Sequence, residues 1–152
     1  GPQLTHTKNG HSTTFGDWIE SDGLATRHLP SGDLLVKSGP LVDMVSQFGT
    51  GECGNCSYTS LEIFRITPDE KIDRMLKLGD KLMGIAPFPV AEDFTVAPDW
   101  SQVTDFQEQV DDNGNPGAWS STAYCFQDTR YAECGRQDNV TPPHSPLLSQ
   151  EQ

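Results

Sequence analysis

The fold class turns on residues 67–84, TPDEKIDRMLKLGDKLMG. Thr67-Pro68-Asp69-Glu70 has the form of a capping box: the Thr67 hydroxyl can bond the amide at 70, Glu70 can reach back to 67, and Pro68 suits the first helical position. Ile72, Met75, Leu76, Leu82 and Met83 follow on one face at helical intervals, and Gly84 supplies a stop. The pattern predicts an amphipathic helix over 68–83. Gly79 lies in the same stripe and costs about 1 kcal/mol relative to Ala unless close packing requires it. Lys71, Arg74, Lys77 and Lys81 fall opposite and, with Arg65, make half of the ten Lys and Arg; they read as a solvated face paired with Asp69, Asp73 and Asp80.

The rest of the chain reads as strands. Upstream of the helix, 57–66 has strand-forming residue types. Leu24–Leu29 and Leu34–Ser38 form a hairpin around Pro30-Ser31-Gly32-Asp33, in which Pro presets φ and Gly accepts a positive one. Leu41, Met44, Val45 and Phe48 have helical spacing and suggest a short second helix. Downstream, Pro87, Pro89 and Pro98 make 84–100 a loop that permits at most a short edge strand at Phe94–Val96. Residues 103–110 and 118–127 pair across the Asp111–Gly117 turn, with Asn113-Gly114 as its turn dipeptide. Gly1-Pro2 reads as the remnant of a cleaved tag, 3–11 as an N-terminal arm or edge strand, 12–135 as a single domain, and 136–152 as a disordered polar tail.

Among the 152 residues, 10 Lys and Arg face 22 Asp and Glu, a formal charge of -12 that repels nucleic acid and anionic membrane surfaces. No run of about 18 apolar residues is present, so membrane insertion is not expected. Four cysteines, Cys53, Cys56, Cys125 and Cys134, and two glycosylation sequons, at Asn55 and Asn139, together point to a secreted, disulfide-stapled glycoprotein. A bridge between the 53–56 and 125–134 pairs encloses roughly 70 residues and is worth about 4 kcal/mol in the chain-entropy model, whereas a Cys53–Cys56 bridge encloses almost none. Cross-bridging is therefore favoured, 53–134 with 56–125 or the converse. A zinc or redox CxxC module is a weaker reading, because the eight-residue gap between Cys125 and Cys134 does not repeat the knuckle spacing and a strand follows Cys56.

Charge is distributed unevenly. From Leu82 to Thr129 there are eight carboxylates and no Lys or Arg. The Asp111-Asp112-Asn113 turn lacks the EF-hand ligand pattern, so neither a metal nor another cofactor is expected. His6, His11, His28 and His144 have no metal-ligand spacing. Asp17, Glu20, Asp93, Asp99, Asp105 and Glu108 are candidates for a glycosidase pair, and Trp18, Trp100 and Trp119 could stack on sugars.

These readings predict an α+β domain, an antiparallel sheet packed by the 68–83 helix. Its expected role is that of a secreted, non-enzymatic binding or effector-like protein that engages a protein or glycan partner through loops. The candidate binding residues are Glu92, Asp93, Asp99, Trp100, Asp111, Asp112 and Asn113. A small glycan-directed hydrolase with a carboxylate pair is the alternative.

Overall fold

Thr67 to Lys71, where a helix is expected to begin, form the turn of a β-hairpin. The Thr67 amide donates to the Lys71 carbonyl at 2.9 Å, the Glu70 amide to the Thr67 carbonyl at 2.9 Å, and the Lys71 amide to Thr67 Oγ1 at 3.0 Å. Thr67 thus binds the amides that follow it, as a capping residue does. Glu70, however, adopts φ 69°, a left-handed conformation that ends any helix and reverses the chain.

The computed structural model describes residues 4–15, 24–45, 56–82, 91–110, 113 and 116–143. Every regular element among them is a strand: β1 (Leu4–Lys8), β2 (His11–Phe15), β3 (Ala25–His28), β4 (Leu34–Val45), β5 (Cys56–Ile66), β6 (Ile72–Leu82), β7 (Ala91–Val96), β8 (Gln102–Val110), β9 (Pro116–Gln127) and β10 (Arg130–Val140). They form antiparallel sheets ordered β1-β2, β3-β4-β5-β6 and β10-β9-β8-β7. The expected α+β class is therefore replaced by an all-β fold. In β6, Met75 and Leu76 are each only 7% exposed although neighbouring strand residues point to opposite faces. A strand covered on both faces carries apolar residues in succession, and this run imitates the i, i+3, i+4 spacing of a helix. The short helix expected from Leu41 is likewise overturned as far as Val45, where β4 ends; Ser46–Phe48 lie outside the described residues.

Contacts divide the chain into two units, Gly1–Leu41 with Ser60–Lys77, and Val42–Thr59 with Leu78–Gln152. In the first unit, Val36, Phe64 and Ile66 form a buried cluster against which Leu4, Phe15, Leu34 and Ile72 pack. Phe15 meets Phe64 edge-on at 4.9 Å between ring centres. The expected N-terminal arm is the β1-β2 hairpin, turning at Asn9 and Gly10 with φ 53° and 80°, the positive pair of a type I′ turn. The β3-β4 hairpin closes as expected, with Gly32 at φ 94° and its amide bonded to the Leu29 carbonyl at 2.9 Å. Buried Glu62 is met by Arg74 at 3.3 Å.

The β7-β10 sheet belongs to the second unit. Its central β8-β9 pair is the expected hairpin, and the short edge strand expected at 94–96 is the C-terminal half of β7. β10 runs on to Val140, so the tail expected from Arg136 begins as strand.

Cys125 and Cys134 are bonded to each other, which overturns the cross-bridged pattern. Antiparallel pairing places Ala132 opposite Cys125, and a register shift between Glu133 and Gly135 accompanies Cys134 at a Cα–Cα distance of 5.7 Å. Proximity within the hairpin outweighs the larger loop entropy a long-range bridge would offer; the local ring is still worth about 2.5 kcal/mol in the chain-entropy model. Cys53 lies outside the described residues, and Cys56 opens β5.

Candidate functional site

The acids expected on a presented loop are built into the second sheet. Glu92 and Asp93 belong to β7 and are 0% and 6% exposed. Asp99 and Trp100 form the β7-β8 turn, in which the Trp100 amide donates to the Ala97 carbonyl at 2.8 Å and Asp99 Oδ1 accepts the Ser101 amide at 3.0 Å. The Trp100 ring is buried, its φ is 61°, and its carbonyl accepts the Tyr131 hydroxyl at 2.6 Å. Both residues hold the turn. Asn113 is exposed, while Asp111 and Asp112 lie outside the described residues. Of the sequons, Asn139 is exposed on β10 at φ 56°, and Asn55 lies outside the described residues.

On the buried face, polar groups are matched to one another. Glu92 accepts hydrogen bonds from the Thr59 hydroxyl and from Gln107 Nε2, the latter at 3.1 Å. The same Gln107 nitrogen donates to Asp105 Oδ2 at 3.0 Å. One amide therefore bridges two carboxylates, and register explains why: Glu92 lies opposite Gln107 on β8, and Asp105 is two residues along the same face. Burial, reinforced by the negative charges of Asp105, Glu133 and Glu92, raises the Tyr124 phenol above its ordinary pKa. Gly79 of β6 supports this corner: at φ 81°, an added Cβ would lie 2.5 Å from the Thr59 carbonyl oxygen. The Gln107 amide bonds both Glu92 and Asp105 and both are buried, so this carboxylate pair does not face an open cleft as a glycosidase pair does. Among the described residues, no cluster of His, Cys, Asp and Glu has the makings of a metal site.

The opposite face of the sheet is open in part: Asp93, Glu108 and Ser121 on it are buried, whereas Gln102 and Gln137 are exposed. Its strand register aligns Thr95 of β7, Thr104 of β8, Ala123 of β9 and Gly135 of β10 in one transverse row. These small residues form the floor of a furrow. One wall carries Gln102, opposite Cys125 of the disulfide, and the other carries Phe106 and Gln137 in the next row, on either side of Ser121. Two hollows of about 560 and 320 Å³ lie along the furrow and share Gln102 and Thr104. Hydroxyl and amide groups share the lining with apolar side chains such as Phe106, Val140 and Val96. Among the described residues that line it, Arg136 is the one cation, 3.7 Å from Asp138.

Sequence reasoning did not identify this site. The signal available was the alternation Gln102, Thr104, Phe106 on β8, but a single strand pattern does not give the register of β7 and β10 against it. No protein-family model, curated protein or solved structure matches this chain.

Proposed function

We propose that this chain is a secreted, non-catalytic binding protein that holds an uncharged glycan in the furrow on the open face of the β7-β10 sheet. The furrow carries the proposal: a row of small residues walled by the amides of Gln102 and Gln137, with the Phe106 side chain offering apolar contact. Each amide supplies two donors and an acceptor, matching sugar hydroxyls, which also both donate and accept. The overall charge of -12 disfavours anionic ligands. The Cys125–Cys134 bridge and the exposed Asn139 sequon support secretion. Pairing with another strand along the β10 edge is discouraged by two register shifts in that strand and by charged Arg136 and Asp138.

The test is binding of the full chain to an array of immobilised neutral glycans, alongside a Gln102→Ala/Gln137→Ala variant. We expect at least a tenfold loss of affinity in the variant with the thermal midpoint unchanged. A wild-type chain that retains no glycan, or a variant that binds as well as wild type, overturns the proposal.

A further inference from the structure

We infer that the ligand is an internal stretch of a linear, uncharged polysaccharide, laid across the strands and leaving the furrow at both ends. This rests on the glycan reading above and specifies the kind of glycan. The floor Thr95, Thr104, Ala123, Gly135 crosses all four strands, and the outermost two, β7 and β10, are the edges of the sheet. The furrow therefore has no end wall formed by a further strand of this sheet. At about 4.8 Å between neighbouring strands it extends on the order of 14 Å, longer than one sugar ring and enough for about three in line. The adjoining hollows share Gln102 and Thr104, so the path is continuous from the Thr95 side to the Gly135 side.

Gly135 supplies an independent argument. Its φ lies outside the left-handed region, and an added Cβ would meet only the Ala123 Cβ at 3.9 Å, an ordinary contact. Neither backbone conformation nor crowding requires glycine there. Its bare backbone keeps the floor low next to the β10 edge, where a chain passing through must leave. An exo-type site that held a sugar end would instead need a closed terminus and would gain nothing from a floor clear across four strands. The lining also favours an uncharged polymer over a polyuronate, because the side chains lining the hollows are neutral apart from Arg136, which Asp138 accompanies, and the Phe106 row ends on β7 at the acidic Asp93.

Isothermal titration of the full chain against cellohexaose, maltohexaose and chitohexaose, each compared with its own mono- and disaccharide, tests the inference. With at least one series, affinity should rise at least tenfold from disaccharide to hexaose. Gly135→Leu, which raises the floor, should weaken that hexaose at least tenfold while leaving the thermal midpoint unchanged. If Gly135→Leu fails to fold, Thr104→Val, which removes a floor hydroxyl at nearly constant volume, takes its place and should also weaken binding. Disaccharides that bind as tightly as hexaoses would overturn the linear-polymer inference and leave the glycan reading standing. Absence of binding by any of these sugars and by the glycan array would end both. Full hexaose affinity in the floor variant would also overturn the inference, as would equal affinity for an oligogalacturonate.

Discussion

The two faces of the β7-β10 sheet are made from similar residue types and put them to opposite use. On the buried face, Glu92, Gln107, Asp105 and Thr59 are joined to one another by hydrogen bonds. On the open face, Gln102, Thr104 and Gln137 stand along a furrow floored by Thr95, Ala123 and Gly135, where solvent can reach them. Polarity alone therefore does not mark a binding surface in this protein. A buried polar group without a partner costs about 1–3 kcal/mol, which favours the internal pairing of the first set, whereas water can satisfy the exposed amides of the second.

The sharpest way to break the comparison is to place a lysine on each face. Glu92→Lys puts a cation beside the Gln107 amide and removes the acceptor for Thr59, so we expect a loss of about 3–5 kcal/mol in urea unfolding. Gln137→Lys on the exposed strand should change stability by less than about 0.5 kcal/mol. Equal losses would mean that the open face is covered. A pair of glycine substitutions follows in size. Gly79→Ala drives a Cβ toward the Thr59 carbonyl in a left-handed conformation and should cost about 2–3 kcal/mol, while Gly135→Ala should leave the denaturation midpoint within about 0.5 kcal/mol of wild type. A costly Gly135→Ala would show that this glycine is structural and not a low floor.

The smallest effect concerns pH. The folded Tyr124 phenol has a raised pKa, so the native state holds its proton longer than the unfolded chain does. Its contribution is fully present below the unfolded value, about pH 10, and is lost as pH rises from there through the folded value. Tyr124→Phe should flatten that alkaline decline and leave stability near neutral pH almost unchanged. An alkaline slope identical to wild type would indicate that the phenol is not shielded by the acidic face.

Much of the local structure was legible. Pro30-Ser31-Gly32-Asp33 closes the hairpin its residues imply, 57–66 is a strand, and the 103–127 pair stands in register. The Asn9-Gly10 turn was equally available in the sequence, yet the polar residues around it suggested an arm. The failure at 68–83 is instructive because Thr67 bonds a following amide, but that of Lys71 and not the expected one at 70, which goes to the Thr67 carbonyl. A hairpin turn uses such a bond as readily as a helix start. The candidate site was less legible. Glu92 and Asp93 carry charge in a proline-rich neighbourhood, which suggests a displayed loop, but pairing with β8 turns them into the sheet.

The sequence by itself determined where the chain turns and which segments can pair, since positive φ at glycine and asparagine, proline's fixed φ and side-chain-to-backbone bonds act over a few residues. It also set the acidity, with 22 Asp and Glu against 10 Lys and Arg. Only the tertiary structure decided that β6 is a strand, that Cys125 pairs with Cys134, and which face of the second sheet is closed. Those outcomes depend on what lies across a strand and on both of its sides. That information comes from register and burial between segments distant in sequence, and a local pattern of apolar residues fits more than one such arrangement.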